Sequence, residues 1–203
     1  MTALFQHYLL PPAPAMLPYV SGRFYASQHA RAVGGAVAMA ASRLYCVPYV
    51  LARPGLFSAM AISVTTGAAG LLRMALAVDD GTGRPGRLIE EPTADADTTA
   101  AGNALCPFAQ PRWIPAGIWW LLLCFSGAPS VRGTSTQAFS GGNALLLGSA
   151  AADGGAGGGT TGSENGFFAS LSHQAGLPIM PNPPGGLSYL VNAAAPLPTL
   201  RAA

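Results

Sequence analysis

The sequence predicts an all-β protein, an antiparallel β-sandwich, and three observations predict it. Apolar runs of four to ten residues follow one another along the chain from residue 43 onward. Turns rich in glycine and proline divide these runs, as at Arg53-Pro54-Gly55 and Pro115-Ala116-Gly117. The turns recur at a spacing of roughly 8–12 residues, which is typical of sandwiches and barrels. We therefore expect a sandwich of the jelly-roll or carbohydrate-binding-module type, with helix nearly absent.

Each apolar run is interpreted as one strand. Successive side chains of a strand point to opposite faces, so Trp119 and Trp120 are predicted on opposite faces of a central strand. Prolines in the last run favour an edge strand. The predicted strands are Arg43–Leu51, Phe57–Thr65, Leu71–Val78, Arg87–Glu90, Ala104–Ala109, Gly117–Phe125, Ser130–Phe139, Phe167–Leu171, Leu187–Val191 and the edge strand Pro196–Arg201.

Two regions are distinguished: residues 1–41 form an N-terminal arm, and residues 42–203 form the sandwich domain with a Gly-rich loop at 148–166. Prolines 11, 12, 14 and 18 exclude a helix and favour an extended, polyproline II-like arm. The arm is too apolar for a solvated tail, and we expect it to dock onto a neighbouring chain; the alternative is a disordered terminus. Its predicted anchor residues are Phe5, Tyr8, Leu9 and Leu10.

The composition excludes some classes of partner. Half of the 203 residues are hydrophobic and only 9% are charged, against about a quarter in typical domains. So few charges leave apolar surface to cover, which predicts a homo-oligomer. All ten cationic residues are arginines, and the net charge of +2 is too small for a surface that binds nucleic acid. The arginine bias is better explained by a GC-rich genome.

Neither a membrane segment nor a disulfide framework is predicted. The longest apolar run, Ile118–Phe125, has eight residues, far below the ~20 that span a bilayer. The first residues lack the basic region of a secretory signal and soon meet prolines. The three cysteines, Cys46, Cys106 and Cys124, show no C-x-x-C spacing and lie in apolar runs. We expect them to be buried free thiols.

No catalytic, cofactor-binding or metal-binding residue is predicted. The histidines, at 7, 29 and 173, are far apart, and no G-x-S-x-G motif occurs. Asp79-Asp80-Gly81 suits a hairpin turn better than calcium. Carboxylates are the only candidates for catalysis, and they fall in turns and polar linkers, where solvated carboxylates are common. They are Asp79, Asp80, Glu90, Glu91, Asp95, Asp97, Asp153 and Glu164.

Aromatic side chains could offer a surface for stacking on sugars. Core packing is the favoured interpretation for Tyr45, Tyr49, Trp119 and Trp120. Trp113 is the exception, because it lies between two prolines in a predicted loop, where an amphipathic ring is often exposed. Arg112 and Trp113 are therefore the predicted ligand contacts.

Several segments, in a constant order and over about half of the chain, resemble small virion proteins of tailed bacteriophages and prophages. They are Gly22–Tyr25, Leu44–Tyr49, Ile62–Thr66 with Ala68–Gly70, Arg73–Leu76 with Asp80–Gly86, Pro115–Leu121 and Ala128–Gly133. Proteins of this group look like β-sandwiches mounted on tail fibres, baseplates or heads. The resemblance implies localisation in the virion, other virion proteins as partners and, by analogy with phage fibres, a homotrimer. It supplies no catalytic residues.

Three functions are compatible with this resemblance. The first is a structural virion protein, a surface-displayed tail fibre, head spike or capsid-decoration subunit that docks through its arm. The second is a carbohydrate-binding module that recognises host surface glycans during host adhesion. The third, least favoured, is a glycan-degrading enzyme.

Overall fold

A computed structural model describes residues 18–27, 33–134, 164–170, 186–191 and 195–203. These residues contain thirteen strands and no helix. The described part of the chain therefore has no helix that could cross a membrane. The strands form two antiparallel sheets packed together, which confirms the predicted β-sandwich. The strands are β1 (Phe24–Ala26), β2 (Val33–Ala38), β3 (Arg43–Leu51), β4 (Gly55–Thr66), β5 (Leu71–Asp79), β6 (Pro85–Glu90), β7 (Ala96–Asp97), β8 (Gly102–Ile114), β9 (Gly117–Phe125), β10 (Ser130–Thr134), β11 (Glu164–Ser170), β12 (Ser188–Val191) and β13 (Thr199–Ala202).

The first sheet is arranged around β4, the 12-residue strand. Its strand order is β1-β13-β4-β10-β2, and β8 pairs with the other side of β4. Residues Phe57–Ala61 of β4 pair with β13, and residues 64 and 66 pair with β10. The length of β4 thus lets one strand support two shorter strands placed end to end.

The second sheet has the strand order β12-β11-β3-β9-β5-β6. The short strand β7 also pairs with β5. Its centre is β9, which pairs with β3 over eight residues and with β5 over seven. Pro48 in β3 has no N–H to donate, and β11 pairs with β3 only over residues 43–46. Beyond the proline, the backbone N–H of Val50 donates to Ser27 Oγ at 2.9 Å. The Ser27 hydroxyl therefore accepts the hydrogen bond that the backbone of a neighbouring strand would otherwise accept.

The main hydrophobic core lies between the two sheets. Alternate residues of each strand point into it, as the alternation of apolar and polar side chains predicts. Tyr49 is buried here, and its hydroxyl donates to the carbonyl oxygen of Tyr25 at 2.7 Å. Other buried members include Phe57, Met60, Ile62, Leu72, Met74, Leu76, Leu121, Leu123 and Phe125.

The second sheet also buries its outer face. Trp120, Leu122 and Cys124 of β9 form a second buried cluster with side chains of β3 and β5. Trp119 instead packs against the main core, and its indole N–H donates to the carbonyl oxygen of Pro115 at 2.9 Å. The prediction that the two tryptophans face opposite ways is confirmed. A strand buried on both faces needs a continuous apolar run rather than an alternating one.

The strands differ from the predicted organisation in three places. Phe24–Ala26 and Val33–Ala38, which the sequence placed in the arm, form β1 and β2 of the first sheet. The last strand, β13, was predicted at an edge but lies between β1 and β4, because its prolines precede the pairing residues. The anchor residues Phe5, Tyr8, Leu9 and Leu10 and loop residues 148–163 lie outside the described residues, whereas 164–166 begin β11.

Candidate functional site

The most exposed large apolar side chains of the first sheet include a cross-strand pair, Leu56 of β4 and Trp113 of β8. Trp113 is 61% exposed and Leu56 is 45% exposed. Their neighbours Phe57 and Ile114 are fully buried in the main core. Because side chains alternate along a strand, Leu56 and Trp113 point outward from the sandwich. We call this pair the Leu56–Trp113 patch.

The strand β8 reaches this position through an irregularity in its pairing with β4. Pro107 is opposite Ala59, whereas Arg112 is opposite Phe57, so four residues of β8 face a single residue of β4. Such bulges redirect a strand, and a proline is tolerated there and on an edge. The strand therefore continues to Ile114, and Trp113 lies in a strand rather than in the loop that the sequence predicted.

The second predicted ligand contact, Arg112, points away from the patch. Its Nη1 lies 3.2 Å from Oε2 of Glu90 in β6, so this ion pair joins the two sheets. Arg112 and Trp113 are adjacent in sequence but lie on opposite sides of β8. A ligand that stacks on the indole would meet the face that carries Leu56. The assignment of Arg112 and Trp113 as ligand contacts stays a prediction.

Sequence reasoning missed Leu56, which is the closest structural neighbour of Trp113 across the sheet. It also missed Phe24, which is exposed and sits opposite Arg201 in the pairing of β1 with β13. The signal for Leu56 was present in the Arg53-Pro54-Gly55 turn, which places it near the start of a strand. The pairing of β4 with β8, which the sequence does not reveal, brings it to Trp113.

The first described residues of the chain pack behind this patch, on the core-facing side of β4. The ring of Tyr19 packs edge-on against Tyr25 and Phe57, with ring centroids 4.7 and 5.1 Å apart. The Arg53 guanidinium lies 4.0 Å from the centre of the same ring. A side-chain Cβ at Gly55 would lie 2.6 Å from Cδ2 of Tyr19, so Tyr19 requires a glycine immediately before Leu56.

The carboxylates of the β5–β6 turn accept hydrogen bonds from backbone N–H groups of the turn. Asp79 Oδ1 accepts from the Gly81 N–H at 2.8 Å, and its Oδ2 accepts from Trp120 Nε1 at 2.9 Å. Asp80 Oδ1 accepts from the hydroxyl and the N–H of Thr82, and these hydrogen bonds lower the Asp80 pKa. The residues that the structure describes contain no group of three or more potential metal ligands. The hairpin-turn interpretation accounts for both carboxylates.

The other described carboxylates also have structural partners. Asp97 Oδ1 accepts from the hydroxyl and N–H of Thr99, which lowers the Asp97 pKa. Asp95 Oδ1 accepts from Arg73 Nε at 3.1 Å. A glycosidase needs two carboxylates facing each other across a cleft, whereas these hold turns and ion pairs. Asp153 and the side chain of Glu164 lie outside the described residues.

The three cysteines are free and buried, as the sequence predicted. Burial raises the pKa of Cys106 to about 12 and that of Cys124 to about 11, and it also raises the pKa of Cys46. Because the thiolate is the nucleophilic form, these thiols are unreactive at neutral pH. The three histidines lie outside the described residues.

Comparison with known proteins adds no assignment to this geometry. No family model matches the chain, and no curated protein matches it significantly. The exposure and pairing of Leu56 and Trp113 make their patch the candidate functional site.

Proposed function

We propose that this chain is a structural protein of a tailed-bacteriophage virion, a surface-displayed fibre, spike or capsid-decoration subunit that docks through its N-terminal arm. It acts by binding other proteins rather than by catalysis. The observation that carries this proposal is the outward-facing apolar pair Leu56 and Trp113 on a sheet whose opposite face forms the core. Exposed tryptophans are among the residues that contribute most to protein interfaces.

The segments that resemble phage virion proteins support this proposal as parts of the framework. Leu44–Tyr49 lies in β3, and Pro115–Leu121 leads into and forms most of β9, the strand that pairs with it. Asp80–Gly86 forms the β5–β6 turn, where Asp80 is held by Thr82. The resemblance therefore concerns residues that build the sandwich. It supports a common architecture, and Leu56 and Trp113 lie outside the segments that carry it.

Antibodies raised against the purified protein test this proposal. They should label phage particles produced by the virus or prophage that encodes the chain, and immunogold electron microscopy should place the label on the head, the tail or the baseplate. Mass spectrometry of density-purified particles provides an independent measurement. Absence of the chain from purified particles, while other virion proteins are detected, would contradict the proposal.

A second function, recognition of host glycans, is favoured by one observation, the exposure of the Trp113 indole. Aromatic rings that present a free face can stack on sugars, and Trp combines a large apolar surface with a polar N–H. A glycan array measures this directly. Binding that disappears in Trp113→Ala but persists in Ile118→Ala, an exposed residue of the other sheet, would support a receptor-recognition module. An array without any bound glycan would argue against it.

A further inference from the structure

We propose that the Leu56–Trp113 patch of one copy of this chain is the acceptor for the N-terminal arm of a second copy. The arm residues that would contact it lie between Leu4 and Leu10. The inference rests on the arm-mediated docking in the proposed function, and it names both the acceptor surface and the partner.

The acceptor lies on a sheet whose strands carry no acidic side chain. None of the six strands of the first sheet, β1, β2, β4, β8, β10 and β13, contains an Asp or a Glu. An apolar segment that covers Leu56 and Trp113 would therefore not bury an unpaired carboxylate of this sheet, which would be costly. The described acidic side chains belong to the second sheet and its connections.

The arm has the complementary chemistry. Residues 1–17 contain no Asp, Glu, Lys or Arg, and they include Leu4, Phe5, Tyr8, Leu9 and Leu10. Such a segment has no acidic side chain and no permanently charged basic one, so an apolar acceptor suits it best. Trp113 and Leu56 provide one with a large ring and an aliphatic side chain side by side.

The arm begins at the end of β4 that carries the patch, on the other face of that strand. The described chain starts at Pro18, and the Tyr19 ring lies against Gly55, the residue before Leu56. Tyr19 also contacts Phe57, the residue after Leu56. Gly55 and Phe57 face the core, so Tyr19 lies on the opposite face of β4 from Leu56. Residues 1–17 are therefore attached beside the acceptor strand but behind the acceptor patch.

The prolines explain why the acceptor belongs to a second copy. Prolines 11, 12, 14 and 18 favour polyproline II, which rises about 3.1 Å per residue and behaves as a semi-rigid spacer. Seven residues, 11–17, separate residue 10 from residue 18, and the eight steps between them would span roughly 25 Å in this conformation. The spacer would hold the apolar residues away from their own patch and within reach of a neighbour. Reciprocal exchange of arms would give a closed, symmetric assembly.

Point variants of the full-length chain test the proposal by light scattering and analytical ultracentrifugation. We expect the wild type to self-associate, and Leu56→Ser in the patch and Leu9→Ser in the arm each to weaken association by at least about tenfold. Ile118→Ser is the matched control, because Ile118 is 43% exposed, similar to Leu56 at 45%, but lies on the second sheet. It should associate like the wild type. Circular dichroism should show the same β signature in all four proteins.

A photo-crosslinking amino acid at position 9 identifies the acceptor. In a mixture of two differently tagged copies, we expect crosslinks between the copies that map to residues 55–57 or 112–114. Crosslinks to these residues only within one copy would overturn the proposal in favour of the chain's own arm. A monomeric wild type, or equal loss of association in Ile118→Ser, would also overturn it. Detection of the protein in phage particles is measured separately, so failure of either proposal is distinguishable from failure of the other.

Discussion

Trp113 and Trp120 lie in the consecutive strands β8 and β9, and they have opposite environments. Trp113 projects from the first sheet beside Leu56, whereas Trp120 is fully buried on the outer side of the second sheet and donates to Asp79. The difference arises from position: the outer face of the second sheet is buried at Trp120, whereas Trp113 lies near the end of β8, beyond its irregular pairing with β4. The comparison teaches that an aromatic residue near a turn is informative only when its sheet and face are known.

The two sheets also differ in where they carry negative charge. Carboxylates such as Glu90 and Asp97 lie on β6 and β7, at one edge of the second sheet. Charged residues at a sheet edge discourage edge-to-edge association with other chains. The strands of the first sheet lack carboxylates and carry the exposed apolar pair. We infer that the second sheet mainly stabilises the domain, while the first sheet presents the contact surface.

Truncation of the buried tryptophan should have the largest effect on stability. We expect Trp120→Ala to lower the free energy of unfolding by about 3–5 kcal/mol, because it opens a cavity in the second cluster and removes the N–H that Asp79 accepts. Trp120→Phe retains most of the apolar volume and should cost roughly 1–3 kcal/mol for the lost hydrogen bond. Urea unfolding measures both. A cost below about 1 kcal/mol for Trp120→Ala would show that the second cluster contributes little.

The two ion pairs provide a second comparison of buried and exposed sites. Asp95 has a side chain only 5% exposed, and its Oδ2 accepts no hydrogen bond from the described residues. Arg73→Met would leave this carboxylate uncompensated, and we expect it to lower the free energy of unfolding by about 3 kcal/mol. Arg112→Met is the control, because Arg112 is half exposed, and it should cost at most about 1 kcal/mol. An equal loss of unfolding free energy in the two variants would contradict the burial assigned to Asp95.

The buried thiols predict a loss of stability at alkaline pH. The pKa of Cys106 is raised from 9.0 to about 12, so above pH 9 the unfolded chain loses the thiol proton while the folded chain keeps it. The folded state then binds more protons, and the free energy of unfolding falls as pH rises from 9 towards 12. Urea unfolding between pH 8 and pH 11 should show this decline, and it should be shallower in Cys106→Ala than in the wild type.

Thiol labelling at pH 8 gives an independent measurement of the same burial. All three cysteines should react with a thiol reagent in denaturant and none in the native protein. Rapid labelling of Cys106 without denaturant would contradict its burial between the sheets.

The sequence predicted the strands well and the contacts between sheets poorly. The bounds of β3 and β9 match the predicted Arg43–Leu51 and Gly117–Phe125, because turns with glycine or proline delimit both runs. The strand β2 was not predicted, since four of the six residues of Val33–Ala38 are glycines or alanines, which have low strand preference. Pairing with β10 stabilises it, and pairing depends on residues distant in the sequence.

The candidate site shows the same limit. The sequence singled out Trp113 as exposed, but its position in a strand depends on the irregular pairing of β8 with β4. The partner of Arg112, Glu90, lies on the opposite sheet and could not be assigned from local pattern. Turn carboxylates such as Asp80 were predictable, because an aspartate that bonds to the backbone two residues onward is a local feature.

The most direct measurement compares Trp113→Ala with Trp120→Ala in two assays, urea unfolding and self-association. Because Trp113 contributes no core contact that the fold needs, we expect its removal to change the free energy of unfolding by less than about 0.5 kcal/mol and to weaken association at least tenfold. Trp120→Ala should show a large loss of stability instead. If Trp113→Ala destabilises the domain as strongly as Trp120→Ala, or associates like the wild type, the assignment of the first sheet as the contact surface is contradicted.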